Sequence, residues 1–133
     1  MFYRKSLIIE IIITLILFSN VCPAFSDLKY GYIDKTGKYI IEPEFDDAWC
    51  FTEGLAAVEV YHKYGYIDKT GKFVIEPKFN SAEPFSDGLA CVKLDDKYGY
   101  IDKTGKFILQ PTFDSAQNFS EGLAVAQQGN EFG

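Results

Sequence analysis

Residues 64 to 72 read Tyr-Gly-Tyr-Ile-Asp-Lys-Thr-Gly-Lys, and the same nine residues stand at 30 to 38 and at 98 to 106. Aspartate, threonine and glycine in this order are typical of a tight turn. The aspartate carboxylate can accept the backbone N–H of the threonine two residues later, and the glycine supplies the left-handed conformation that closes the turn. The block therefore predicts a β-hairpin at three places in the chain.

The blocks recur every 34 residues, and the chain aligns with itself at this period without a gap. Of the 34 aligned positions, 16 carry the same residue in all three segments. A fixed period of this length is the signature of a repeat architecture, in which each unit buries its apolar surface against its neighbours. The predicted repeats are residues 30–63, 64–97 and 98–131, followed by the start of a fourth at 132–133.

Alternation along the two strands of the hairpin separates a core face from a mixed face. In the first repeat the core face carries Ile33, Tyr39 and Ile41, and the equivalent positions are apolar in every repeat. The opposite face carries tyrosines among charged residues, which predicts that it is half exposed or covered by a neighbour. The cross-strand pairs expected from this register are Ile33 with Tyr39, Tyr32 with Ile40, and Gly31 with Ile41.

The second part of each repeat predicts a loop and one more strand. Pro43 has no N–H to give to a neighbouring strand, so the second strand of the hairpin is predicted to stop there. Residues 45 to 54 then read as a loop anchored by two phenylalanines and an alanine, and residues 55 to 60 read as a third strand. Each repeat is therefore predicted to hold three antiparallel strands.

These features predict an all-β protein, built as a tandem array of three antiparallel three-stranded repeats of 34 residues. A single unit cannot bury its apolar face, so we expect the units to stack in an open, solenoid-like array. A partial propeller-like arrangement is the alternative. Propeller blades usually have four strands and about 40 to 45 residues, which makes this unit short for a blade.

Residues 1 to 26 are predicted to be a signal peptide. Two basic residues precede an apolar run from 7 to 18, and Ala24 and Ser26 provide small residues at a cleavage site. An uncleaved anchor is the competing interpretation. Glu10 interrupts the apolar run, however, and a membrane-spanning helix needs about 20 apolar residues.

Cleavage leaves residues 27 to 133 as the repeat domain, exported to the periplasm, the cell surface or the extracellular space. Without Arg4, Lys5 and Glu10 this domain carries 11 basic and 18 acidic residues, a net charge of −7. Nucleic acid is a poor partner for such a surface, because neutralisation of phosphates by basic residues supplies most of that affinity. A membrane contact is expected only through an uncleaved signal segment.

The hairpin block, followed by spaced Pro, Phe and Ala and by Phe-Ser-Glu-Gly-Leu-Ala at residues 119 to 124, closely resembles the bacterial WG-repeat family, also called KWG repeats. The resemblance covers residues 29 to 133. The family's signature tryptophan before glycine is replaced by Tyr30, Tyr64 and Tyr98, which keeps an aromatic ring. The resemblance implies an all-β repeat, often exported, with no established general activity and no catalytic residues to carry over.

No arrangement typical of catalysis stands out. His62 is the single histidine, and it lies in the variable turn between repeats without a nucleophile placed for it. The Asp-Lys-Thr-Gly turns set a lone carboxylate beside a lysine, unlike a calcium loop with its several oxygen ligands. The acidic pairs at 46–47 and 95–96 do not recur in register, which favours a role in solubility. We predict no catalytic residue, metal site or cofactor, and therefore no enzyme.

The two cysteines of the repeat domain are not part of the repeated design. Cys50 aligns with Pro84, and Cys91 aligns with Ala57. In an exported protein, a disulfide between them and a pair of free thiols both stay open.

Six tyrosines, two in each hairpin, are the candidate functional residues. Equivalent positions recur at regular spacing along an array, so their rings could form a ladder on which a glycan or an extended peptide stacks. Packing of the rings between neighbouring repeats is the competing interpretation, because aromatic side chains bury a large area in a small unit. The six are Tyr30, Tyr32, Tyr64, Tyr66, Tyr98 and Tyr100.

The leading hypothesis is an exported, non-enzymatic repeat module that mediates interaction with another protein. The alternative is binding of cell-wall or other polysaccharide through the tyrosine ladder. Trp49, which occurs only in the first repeat, is predicted to cap the open end of the array.

Overall fold

The computed structural model of the protein describes residues 28 to 129, which fold as β-strands, turns and loops. The predicted signal peptide at residues 1 to 26 and the start of a fourth repeat at 132 and 133 lie outside the described residues. No helix in the described part is long and apolar enough to cross a membrane. The strands are β1 (Tyr30–Ile33), β2 (Tyr39–Phe45), β3 (Asp47–Ala48), β4 (Ala56–Val60), β5 (Lys63–Ile67), β6 (Phe73–Phe79), β7 (Ser81–Ala82), β8 (Ala90–Leu94), β9 (Lys97–Ile101), β10 (Phe107–Phe113), β11 (Ser115–Ala116) and β12 (Ala126–Gln127).

The strands form antiparallel sheets that cross the boundaries between repeats. β3 to β6 form one four-stranded meander and β7 to β10 form a second, whereas β1 with β2 and β11 with β12 form two-stranded sheets. Each four-stranded sheet joins the end of one repeat to the hairpin of the next. The predicted all-β tandem array is confirmed, and within residues 28 to 129 the first and last sheets do not pair, so the array is open.

Each full repeat contributes four strands instead of the predicted three. The additional strand has two residues, Ser81–Ala82 in the second repeat, and it pairs with β8. The sequence predicted a loop at this position. The strand was missed because two residues are too few to show an alternating pattern. A four-stranded meander is also the make-up of a propeller blade, so the sheets share this feature with the propeller-like alternative.

The second hairpin strand does not stop at Pro43, so that prediction is wrong. β2 continues to Phe45, and the equivalent strands of the next two repeats also pass through their prolines. The pairing register of β1 with β2 shifts between Tyr30 and Tyr32. Gly31 alone therefore lies opposite the three residues centred on Pro43. The hydrogen bonds between the two strands are interrupted at such a bulge. A proline there therefore removes no hydrogen bond, and the strand can continue through it.

Glycine is required at this bulge because the two strands approach closely. A Cβ atom at Gly31 would lie 2.5 Å from the carbonyl oxygen of Ile41 and 2.7 Å from the nitrogen of Pro43. The same clash would occur at Gly65, 2.6 Å from the carbonyl oxygen of Ile75. The glycine therefore makes room for the neighbouring backbone.

A second register shift leaves one residue of each hairpin unpaired. Tyr32 pairs with Ile41, which makes Ile40 an extra residue in β2. The same shift occurs in β6 and β10. The predicted pairs of Tyr32 with Ile40 and of Gly31 with Ile41 are wrong, because the alternation rule assumes a ladder without bulges.

The apolar core lies between successive sheets. β4 is buried on both faces, with Ala56, Ala57 and Val58 fully excluded from solvent. One cluster of buried residues joins β2, β4 and β5, and a second joins β4 to the strands of the next sheet. The predicted core face is confirmed at its inner positions. Three of its members lie at the ends of the array, where no described sheet covers them, and are exposed: Ile33, Tyr39 and Leu109.

The Asp-Lys-Thr-Gly segments form the predicted turns. The N–H of Asp34 donates to the carbonyl oxygen of Lys38 at 2.9 Å, and the N–H of Thr36 donates to the Asp34 carboxylate at 2.8 Å. The glycine of the turn has a positive φ in all three copies. Ile33 pairs with Tyr39 across the turn, as predicted.

Asp68 should make the stability of its turn depend on pH. The hydroxyl and the backbone N–H of Thr70 donate to its carboxylate, which lowers the pKa of Asp68 below its ordinary value of 3.8. Because the folded-state pKa is lowered, the stabilisation is present above about pH 4 and is lost as the pH falls through the folded-state value.

The matched variant is Asp68→Asn, whose amide oxygen can still accept both hydrogen bonds but does not titrate. We expect it to lose part of the acid dependence that the wild type shows in urea unfolding at about pH 3 and about pH 6. An acid dependence identical to that of the wild type would rule out the contribution of this carboxylate.

Candidate functional site

The second tyrosine of each hairpin is a core residue. Tyr66 and Tyr100 are 0% and 1% exposed, and Tyr32, in the end repeat, is half-buried. The hydroxyl of Tyr32 donates to the carbonyl oxygen of Trp49 at 2.8 Å, and that of Tyr66 to Glu83 at 2.7 Å. Burial raises the pKa of Tyr32 to about 12 and also raises that of Tyr66. These bonds tie the loop to the hairpin of the same repeat, whereas the packing interpretation placed the rings between neighbouring repeats. The two buried rings offer no face to a ligand.

The first tyrosine of each hairpin lies nearer the surface. Tyr30 is exposed, whereas Tyr64 and Tyr98 are half-buried. The hydroxyl of Tyr64 donates to the Asp47 carboxylate at 2.7 Å, and burial together with this bond raises its pKa. The Nζ of Lys93 lies 5.4 Å from the ring centroid of Tyr98, within cation–π range. Ligand stacking on these three rings stays a prediction.

The unpaired residues of the three hairpins form a second candidate surface. Ile40, Val74 and Ile108, which we name the edge row, are 58%, 47% and 50% exposed. They lie in β2, β6 and β10, each at the edge of its sheet. A bulge re-aims a side chain out of the regular ladder, so the register shift accounts for the outward position of these apolar residues.

Charged side chains border the edge row. In β6 and the turn before it, three exposed charged residues lie near Val74 in the sequence: Lys72, Glu76 and Lys78. An apolar centre with a polar rim is the usual anatomy of a protein–protein contact. Sequence reasoning did not single out these residues, because alternation placed Ile40 on a mixed face. The signal that could have found them is a β-branched apolar residue among charged neighbours at the same position of every repeat.

Comparison with known proteins recognises the same repeats. The family model described as WG containing repeat matches residues 30–63, 64–98 and 98–132. The chain belongs to the WG-containing repeat family. No curated protein and no solved structure matches it. The family inferred from the hairpin block is therefore confirmed.

Two titratable residues of the WG-repeat array, His62 and Asp46, contact other residues of the array. The side chain of His62 is 98% exposed, and its Nδ1 lies 3.5 Å from the Glu59 carboxylate. Asp46 pairs with Lys29 and accepts the backbone N–H of Tyr61. In the part of the chain that the structure describes, no three His, Cys, Asp or Glu side chains are grouped so that they could hold a metal ion.

The two cysteines of the WG-repeat domain are free thiols. Cys50 is exposed, whereas Cys91 lies in β8 and is buried. Burial raises the pKa of Cys91 to about 11. Since the thiolate is the reactive form, Cys91 is an inert core residue at neutral pH.

A groove of about 400 Å³ lies at the first repeat. It connects one member of the edge row with the exposed end of the array. Trp49 is exposed in the same repeat, and its role as a cap stays a prediction. The apolar and aromatic residues that line the groove are Tyr32, Ile33, Ile40, Ile41 and Phe51.

Proposed function

We propose that this chain is an exported, non-enzymatic WG-repeat module that binds another protein through the edge row. The observation that carries the proposal is the recurrence of one exposed β-branched side chain, at about half exposure, in every repeat. Single exposed apolar residues are ordinary on protein surfaces. The edge row differs, because an exposed apolar residue recurs at the bulge of three successive edge strands. A partner could therefore make the same contact with each repeat.

The residues that flank the edge row on its strands also support a protein partner. Each edge strand carries polar or charged residues on both sides of its apolar residue, as Lys72 and Glu76 do around Val74. Such charges discourage uncontrolled pairing of sheet edges. At the exposed rim of a contact they contribute little to its affinity. A polysaccharide would need exposed ring faces, and Tyr66 and Tyr100 do not supply them.

The variant that tests the edge row is Ile40→Thr with Val74→Thr and Ile108→Thr. Threonine keeps the β-branched shape that suits a strand, so we expect unchanged stability. Removing one apolar side chain from an interface costs about 1 kcal/mol, so the three changes should weaken binding about 100-fold. The control is Glu42→Thr with Glu76→Thr and Gln110→Thr, which changes polar neighbours on the same strands.

The measurement is retention of exported proteins and of insoluble cell-wall glycan from the native host by the immobilised wild type and by each variant. We expect a protein that the wild type and the control retain and the edge-row variant does not. Retention of the same proteins by all three chains would refute the edge row. Retention of glycan alone would support the polysaccharide alternative.

The non-enzymatic part of the proposal is supported by the exposure of His62 in its turn. A general base needs an oriented nucleophile within hydrogen-bond reach, and the histidine contacts a carboxylate instead. A hydrolytic activity of the purified chain that His62→Ala abolishes would overturn this part.

A further inference from the structure

The turn between β4 and β5 holds two residues in a strained backbone conformation. Tyr61 has a φ of 51° and His62 a φ of 63°, so both lie in the left-handed region. A two-residue turn of this kind favours Asn-Gly, because glycine has no Cβ and asparagine tolerates a positive φ. Tyrosine has neither property, and a bulky residue with a positive φ is an outlier. The chain therefore keeps Tyr61 at this turn against the preference of its backbone.

The equivalent turn of the next repeat avoids most of this strain. Its two residues are Asp95 and Asp96, of which Asp95 alone has a positive φ, of 53°. Aspartate tolerates that conformation because its short polar side chain can hydrogen-bond to the nearby backbone. The repeat therefore folds without an aromatic residue at this position.

The side chains of Tyr61 and His62 contribute little to the core. Tyr61 is 88% exposed, the highest value for an exposed large apolar side chain in residues 28 to 129, and the side chain of His62 is 98% exposed. Packing in the core could offset backbone strain, but a ring in water gains no such packing. Strained residues of this kind are concentrated where proteins bind ligands and partners.

We propose that Tyr61 and His62, which we name the turn anchor, insert into an apolar pocket on another protein. The turn anchor lies at a junction between repeats and not in the edge row, so this contact goes beyond the proposed function. Tyrosine is one of the residues that contribute most to protein–protein binding, because its ring buries a large area at a low cost in side-chain entropy. In the complex, the ring gains the packing that it lacks in the free chain.

The protruding shape of the turn anchor favours a protein over a glycan. Two side chains that are almost fully exposed form a convex surface, so the partner has to supply the cavity that encloses them. A folded protein can supply such a pocket. A glycan has no pocket of its own, and small ligands bind in concave sites.

Hydrogen bonds hold the backbone of the turn anchor in place. The N–H of Tyr61 donates to the Asp46 carboxylate at 2.9 Å, and the N–H of Asp46 donates to the carbonyl oxygen of Glu59 at 2.9 Å. Val60 pairs with Lys63 on the two sides of the turn. A group that is already held in its bound conformation loses less entropy on binding, which raises affinity.

The variant that tests the proposal is Tyr61→Asn with His62→Gly, which we name the turn variant. It relieves the backbone strain, so we expect the midpoint of thermal unfolding to rise by about 5 °C. It also removes both side chains of the turn anchor, so affinity for the partner should fall about 30-fold, the effect of losing one dominant interface residue. Because the turn variant is expected to be more stable, unfolding could not explain a loss of binding.

Photo-cross-linking measures the binding. Lys63, which is exposed beside the turn, is replaced by p-benzoylphenylalanine, and this chain is irradiated with the exported proteins of the native host. Unlabelled chains are added before irradiation as competitors. We expect a cross-linked protein that excess wild type abolishes, and that the turn variant abolishes only at about 30-fold higher concentration.

The matched control is Asp95→Asn with Asp96→Gly, which places the same two residues at the next junction. We expect it to compete like the wild type. The edge-row variant, which leaves the turn anchor intact, should also compete like the wild type. Competition that the edge-row variant loses and the turn variant keeps would assign the cross-linked protein to the edge row and overturn the proposal.

Three further results would also overturn the proposal. The first is equal competition by the wild type and the turn variant, or the absence of any protein for which the wild type competes. The second is a thermal midpoint of the turn variant at or below that of the wild type, since the turn would then hold no strain. The third is retention on insoluble cell-wall glycan that the turn variant alone loses, since the turn anchor would then serve a glycan.

Discussion

Replacing Gly65 by alanine should destabilise the array by about 3 kcal/mol or more. An added Cβ would lie 2.6 Å from the carbonyl oxygen of Ile75 and 2.7 Å from the nitrogen of Pro77. Both atoms belong to the backbone of β6, so neither can swing away as the end of a side chain would. Relief requires separation of β5 from β6, which would also loosen the packing of Tyr66. Urea unfolding at neutral pH measures the change in free energy.

The control for this prediction is Gly88→Ala. Gly88 has a φ of 78° and nothing within 4 Å of an added Cβ, so alanine meets backbone strain alone. Left-handed strain costs about 1 kcal/mol for a residue with a Cβ. Equal destabilisation of the two variants would show that the close approach at Gly65 does not exist in solution.

Tyr66→Ala should destabilise the array by about 3 to 5 kcal/mol, the range for removing a buried aromatic ring. Tyr66 is fully buried, and its ring lies 4.9 Å from that of Phe85. Its hydroxyl also donates to the carbonyl oxygen of Glu83 at 2.7 Å. Tyr66→Phe keeps the ring and leaves that carbonyl without its donor, so it should cost about 1 kcal/mol. Urea unfolding of the three chains measures both effects.

Tyr30→Ala is the matched control on the surface, because Tyr30 is 53% exposed. We expect a change of about 0.5 kcal/mol or less. The glycan hypothesis makes the opposite prediction for Tyr66→Ala. A chain that keeps wild-type stability and is no longer retained on insoluble cell-wall glycan would show that this ring serves a ligand rather than the core.

The hairpin turns could be predicted from the sequence because their signals are local. Asp34 and Thr36 make their hydrogen bond within three residues, and the glycine that follows needs no distant partner to adopt a positive φ. The core positions of the second repeat were also predictable, since Phe73 and Ile75 lie two residues apart on one strand and share its face with Ile67. Their equivalents Ile33 and Leu109 are exposed, because no sheet among the described residues covers them.

The register could not be predicted, because it depends on a contact between residues that are far apart in the sequence. The bulge opposite Gly31 involves the backbone of Ile41 and Pro43, and no alternation rule contains that contact. A second shift, between Tyr32 and Ile33, leaves Ile40 outside the ladder, because Tyr32 pairs with Ile41 and Ile33 with Tyr39. Two register shifts in each hairpin therefore decide which apolar residue faces solvent.

The assignment of strands to sheets was ambiguous for a different reason. In a periodic chain, the strand before each repeat boundary can pair within its own repeat or with the next. The structure joins β4 to β5 through a two-residue turn in which Tyr61 and His62 have φ values of 51° and 63°. Such turns usually carry Asn-Gly, so Tyr-His gives no local signal for a hairpin.

Solution NMR contacts between backbone protons of β4 and its partner strand test the central claim, that each four-stranded sheet joins two repeats. The structure predicts contacts between Val58 and Gly65 and between Ala57 and Tyr66. Contacts of residues 56 to 60 with Tyr30–Ile33 of their own repeat, and none with β5, would contradict it, because the repeats would then be self-contained three-stranded units.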